Sequence, residues 1–151
     1  MNYIRWATEK DIPKIADIEN TVYGVYALEI SDLNKIRKGK NTTIIVCDNN
    51  NRGINGYCIY NVTDTKIYIF RLVIDPVCYQ NGIGTEFILK IKDKLKGPRN
   101  IIEMDVDDDN LVAHLFLKNH GFKATQVLAG GVDENDLYVF QYEGNVLSEL
   151  T

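Results

Sequence analysis

The stretch that most restricts what this chain can fold into is VIDPVCYQNGIGTEFILKIKDKL, residues 73–95, where an apolar strand gives way to an amphipathic helix. Pro76 closes the strand, because its ring fixes φ and removes a ladder donor, and Gly82 and Gly84 stand at the joint. Beyond them Ile83, Phe87, Ile91 and Leu95 recur at helical spacing on one face, with Glu86, Lys90, Lys94 and Lys96 largely off it. Gly97-Pro98 stops the helix. A strand that passes through a glycine loop into a helix can make an anion site. The first amides of a helix have no intrahelical partner and carry the positive end of its dipole. Glycine lets the backbone form a concave nest and lets a phosphate approach with no Cβ in the way. The stretch lacks the GK[ST] ending that brings a lysine to a γ-phosphate, and Phe87 fills the place of the third glycine in GxGxxG. On backbone physics alone, a diphosphate cradle and a plain strand–helix turn both remain open.

The rest of the chain alternates short elements. Tyr3–Trp6 reads as a strand, Thr8 and Asp11 as a capping box, and Ile12, Ile15, Ile18 and Val22 as the stripe of a helix. YGVYALEI is ambiguous, and SDLNKIRKGK reads as a short basic helix or a loop. Strands over 41–48, 54–62 and 66–75, separated by turn residues, form an antiparallel meander. A strand over 100–106, a capped helix over 107–122 ending at Gly121, and strands over 122–128 and 136–142 complete the order. This pattern predicts an α/β (α+β) fold, a mixed and mostly antiparallel sheet flanked by helices, in one domain over residues 1–151.

Composition narrows the function classes. A 45% hydrophobic and 25% charged chain of 151 residues suits a globular protein with a real core. A net charge of −4 disfavours nucleic acid as partner. No apolar run reaches spanning length and no secretory h-region opens the chain, so neither membrane nor export is expected. Cys47, Cys58 and Cys78 are odd in number and lack CxxC spacing, which fits free thiols in a cytoplasmic setting. The run MDVDDDN (104–110) fails as a calcium loop, because Asn110 and Phe116 fall where glycine and glutamate are needed. No metal is expected. His114 and His120 read as surface residues, and Asp108 and Asp109 as caps for the following helix.

Three segments in register resemble one family. VIDPVCYQNGIGTEFIL resembles the acetyl-CoA motif of the GNAT acyltransferases, Q/R-x-x-G-x-G/A after a strand ending in V-D-P. DNLVAHLFLKNHGF (109–122) resembles the N-x-x-A…G-F helix of that superfamily, through Asn110, Ala113, Gly121 and Phe122. IRWATEKDIPKIADIE resembles its opening segment, and residues 4–142 follow its element order. By the Asp-Pro, Asn and Gly-Phe spacing, the nearest subgroup is similar to the N-terminal alanine acetyltransferases of ribosomal proteins.

The resemblance implies a splayed central strand pair and an acetyl-CoA-dependent N-acetyltransferase acting by direct attack of a primary amine. Backbone amides of Gln80, Asn81, Gly82, Ile83, Gly84 and Thr85 would hold the CoA diphosphate. Leu72, Val73 and Ile74 would lie beside the pantetheine arm, with main-chain groups of Val73 and Ile74 bonding its amides and the acetyl carbonyl, and Asn110 would contact the arm. Tyr23 and Tyr26 fall in the segment that shapes the acceptor cleft. The family's base position holds Asp105, with Glu103 two residues earlier on the same strand face, and either could take the ammonium proton through a water. The plainer account leaves both as solvated carboxylates. Two positions depart from the family pattern. Tyr79 stands where Gln or Arg is usual, with Gln80 one residue late. Leu117 occupies the general-acid Tyr position, so Tyr138 or Tyr142 would have to substitute, or the thiolate would leave unaided. The acceptor is a protein N-terminus, a lysine or a small amine, and a homodimer is left open. The alternative is a non-catalytic acyl-CoA-binding or interaction protein on the same scaffold, which Leu117 favours.

Overall fold

The computed structural model describes residues 2–50, 53–78, 82–132 and 134–144. Its elements run β1 (Tyr3–Trp6), α1 (Ile12–Tyr23), α2 (Ile30–Lys38), β2 (Thr42–Asp48), β3 (Ile54–Val62), β4 (Lys66–Ile74), α3 (Ile83–Lys92), β5 (Ile101–Asp107), α4 (Leu111–Asn119), β6 (Lys123–Leu128) and β7 (Leu137–Glu143). The strands form one seven-stranded sheet in the order β1-β2-β3-β4-β5-β7-β6. The β4–β5 pair is parallel, whereas β1–β2, β2–β3, β5–β7 and β6–β7 are antiparallel. The parallel ladder joins Lys66–Ile69 to Ile101–Met104 and leaves Phe70–Ile74 of the longer β4 outside it. The expected mixed, mostly antiparallel sheet with flanking helices is the one observed.

The chain divides into two compact units. The first combines Met1–Asn61 with Phe70–Lys90. Its core gathers Ile12, Ile15 and Ile18 of α1, Leu33 of α2, and Ile44, Val46, Ile54, Tyr57, Ile59 and Val73 of the strands. The stripe on α1 is shorter than its periodicity suggests, since Val22 is 40% exposed. Thr8 and Asp11 do form the capping box, and the Arg5 guanidinium joins Asp11 and Asp48 by bonds of 2.7 and 2.9 Å. Burial pushes the Asp11 carboxyl up, but Arg5 and Thr8 outweigh it and hold the group below the usual carboxylate range. The ambiguous YGVYALEI resolves into a 3-10 turn at Gly24–Tyr26, after which α2 begins at Ile30. Helix α3 buries Ile83, Phe87 and Ile88 and starts at Ile83, one residue before Gly84. A Cβ on Gly56 of β3 would lie 2.9 Å from the Val73 carbonyl oxygen and 3.3 Å from Phe87 Cε2, so this close approach requires glycine.

The second unit combines Val62–Ile69 with Ile91–Thr151. Ile67, Ile69, Ile102, Val106, Leu117, Phe122, Val139 and Phe140 are buried there. His114 is not the surface residue the sequence suggests. It is 9% exposed, its Nε2 lies 2.8 Å from the Asp107 carbonyl oxygen, and its ring meets Tyr138 and Phe140 edge-on. Asp108 and Asp109 do not cap α4 either, because the cap is Asn110, whose Oδ1 accepts from the Ala113 amide at 3.2 Å.

Candidate active site

In the first unit, the glycine joint has the geometry an anion needs. Gly82 holds φ at +73°, and among the described residues nothing lies within 4 Å of where a side chain would project. The α3 ladder opens with the Glu86 amide donating to the Gly82 carbonyl at 3.1 Å, so the amides of Ile83 and Gly84 come before any i→i−4 bond. A negative group resting there meets free space over Gly82 and the positive end of the α3 dipole. These residues fit a diphosphate. Of the expected cradle, Gln80 and Asn81 lie outside the described residues, as does Tyr79 before them, whereas Gly82 precedes the helix and Ile83, Gly84 and Thr85 form its start. Leu72, Val73 and Ile74 end β4 as expected, with Val73 only 5% exposed. Asn110 in the second unit has its side-chain oxygen engaged as a helix cap.

Tyr23 and Tyr26 are held by a buried charge pair that sequence reading missed. Glu19 of α1 has no solvent exposure. It accepts from the Tyr57 hydroxyl, from Arg71 Nε at 3.2 Å, from Arg71 Nη2 at 3.4 Å, and from the Leu28 amide at 2.8 Å. Every contact a buried carboxylate requires is present. The Arg71 guanidinium also lies 3.9 Å from the Tyr23 ring centroid and 4.8 Å from that of Phe70, and reaches the Tyr26 carbonyl at 3.4 Å. Burial, and then the hydrogen bond to Glu19, raise the Tyr57 hydroxyl pKa far above the ordinary tyrosine value. The missed signal is a phase break. Glu19 falls on the Ile12–Ile15 face of α1, and Arg71 on the Ile67–Ile69–Val73 face of β4.

The second unit separates the two candidate carboxylates. Glu103 Oε1 accepts from Lys66 Nζ at 3.3 Å and from Gln141 Nε2 at 2.6 Å, so it is committed to structure. Asp105 Oδ2 instead accepts from the Tyr68 hydroxyl at 3.1 Å. Burial, reinforced by the negative charge of Asp105, lifts the Tyr68 pKa to about 12. A tyrosine in this state keeps its proton at neutral pH. Sequence reading missed Tyr68, because its partnership depends on the parallel β4–β5 register. Leu117 is 1% exposed and packs as core. Tyr142 stacks near Phe122 and lies under Lys92 Nζ at 4.1 Å, while Tyr138 packs on His114. Among the described residues no group of three or more His, Cys, Asp or Glu could hold a metal ion, and no helix is long and apolar enough to cross a membrane.

Comparison with known proteins agrees with this architecture. Among curated proteins, no sequence match was found. Among solved structures, the chain is similar to the ribosomal-protein-S18-alanine N-acetyltransferase from Escherichia coli (TM-score 0.80, 16% identity, covering 95% of this chain and 94% of that one). It is also similar to Ard1 from Thermoplasma volcanium (TM-score 0.81, 17% identity, 95% and 98% covered). A third is NAA60 from Arabidopsis thaliana, solved with acetyl-CoA (TM-score 0.82, 15% identity, 95% and 99% covered). The sequence model of the Acetyltransferase (GNAT) family matches residues 5–122, and the chain belongs to that family.

Proposed function

We propose that this protein moves the acetyl group of acetyl-CoA to a primary amine by direct attack, without a covalent enzyme intermediate. The reading rests on Gly82, open above a helix start whose first amides precede the hydrogen-bond ladder, within a family match that spans residues 5–122. Acetyl-CoA supplies a thioester whose carbonyl carbon accepts the amine and whose sulfur leaves as thiolate. The amides at the start of α3 hold the diphosphate, and the main chain of Leu72–Ile74 pairs with the arm. Asp105 takes the proton that the ammonium must lose before its nitrogen can attack. Tyr68 donates to Asp105 and orients its carboxylate, and the thiolate leaves without a dedicated acid, its low basicity making protonation less necessary than for an alkoxide.

The acceptor we favour is a protein N-terminus, ahead of lysine or a small amine. Acetylation of ribosomal protein S18 alanine, named for the similar Escherichia coli enzyme, supports testing that class first. Three free cysteines suit a reducing, cytoplasmic setting. The test is release of free CoA from acetyl-CoA against a panel of peptides with free N-termini, lysine peptides and polyamines. Acetylation of at least one amine class is expected. Tight cofactor binding with no amine acetylated would overturn the transferase reading in favour of a non-catalytic acyl-CoA-binding protein.

A further inference from the structure

We propose that Glu19 and Arg71 are positioning residues for the acceptor: together they clamp residues 23–28 and so set how well the amine substrate is held. The inference rests on the acetyltransferase reading, and it deepens that reading by assigning two residues with no part in the chemistry itself. Between α1 and α2 the chain carries only a single 3-10 turn, and Val25 and Tyr26 on it are 93% and 81% exposed. Its ends, Tyr23 and Leu28, pack partly against the core, but its exposed middle has little apolar burial to fix it. The polar anchors come from one pair, fully buried Glu19 and partly buried Arg71. Glu19 Oε1 receives the Leu28 amide at 2.8 Å, Arg71 Nη2 reaches the Tyr26 carbonyl at 3.4 Å, and the same guanidinium lies 3.9 Å from the Tyr23 ring centroid. Three successive parts of the segment are thereby tied to two side chains, one on a helix and one on a strand.

The chemistry explains why these two residue types are needed. Glu19 is fully buried and would be strongly unfavourable as a lone charge. Arg71 neutralises it through two nitrogens and still has the planar face and a further N–H to engage Tyr23 and Tyr26. A lysine could balance the charge but could not supply the fork or the stacking plane. The Tyr57 hydroxyl donates to Oε2 of the same carboxylate, beside Arg71 Nε. The pair therefore acts on the acceptor segment and not on the start of α3, where the cofactor is expected.

Two readouts test this in the full-length protein. Hydrogen exchange should show the Leu28 amide protected in the wild type and exchanging at least about tenfold faster in Arg71→Lys. Steady-state kinetics with the best acceptor of the amine panel should show its KM raised about tenfold in Arg71→Lys, with the acetyl-CoA KM within twofold of wild type. A purely structural role would lower Tm and move both KM values together, and that result would overturn the proposal. So would an unprotected Leu28 amide in the wild type, a readout that needs no variant to fold. If the wild type acetylates no amine, the transferase reading fails on its own ground, while exchange at Leu28 still reports whether the clamp exists.

Discussion

Asp105 and Glu103 lie two residues apart on one face of β5, yet their surroundings give them different uses. Glu103 is spent on Lys66 and Gln141, whereas Asp105 has the Tyr68 hydroxyl, a partner that can itself carry a proton. Asp105→Asn should lower kcat by about 10²–10⁴-fold, the range for losing a positioned general base. Glu103→Gln should cost under tenfold, and a stopped-assay comparison of the two decides between them. The Tyr68 pKa carries a stability signature whose sign is fixed. Because its folded value is raised from 10 to about 12, its contribution is complete below pH 10 and is lost as pH climbs through about 12. Tyr68→Phe should therefore flatten the fall in stability over that alkaline window, measured by urea denaturation at stepped pH. The two carboxylates were legible in the sequence, since alternation alone puts them on one face. Tyr68 was not, because strand register across a parallel pair leaves no local trace.

At the scale of elements, boundaries followed local chemistry closely, and the departures have physical causes. The β3 span Ile54–Val62 agrees with the β-branched run and its flanking turns. The α1 stripe differs from its periodicity in two places: Val22 is partly exposed, whereas Glu19, which the stripe did not include, faces the core because Arg71 meets it there. A charged residue in phase with an apolar stripe is the mark of a buried pair, and here each partner breaks its own element's period. Gly56→Ala tests the packing of β3. Its Cβ would press on the Val73 carbonyl, and the backbone must shift, so a loss of about 1–3 kcal/mol is expected in chemical denaturation. Leu117→Tyr tests α4. Family pattern suggests it would restore an acid, but the site is a filled core position. The variant should lose about 1–3 kcal/mol through overpacking and gain no activity, read from Tm and turnover together.

For the whole molecule, the sequence carried the architecture further than it carried the chemistry. Three motifs in register gave the family, and the sheet order and element sequence agree with it. His114 shows the limit: no spacing rule reveals that Tyr138 and Phe140, from a strand much later in the chain, close around it. The acceptor is equally illegible, because Val25 and Tyr26 are exposed and exposure names no partner. The account stands or falls on main-chain donors at the head of one helix gripping the phosphates of a thioester carrier. Isothermal titration of the wild type and Gly82→Val with acetyl-CoA tests this most directly. The account predicts one-to-one binding by the wild type, weakened at least about tenfold when a branched side chain fills the space above Gly82. No binding by the wild type, or equal affinity in both proteins, would contradict it.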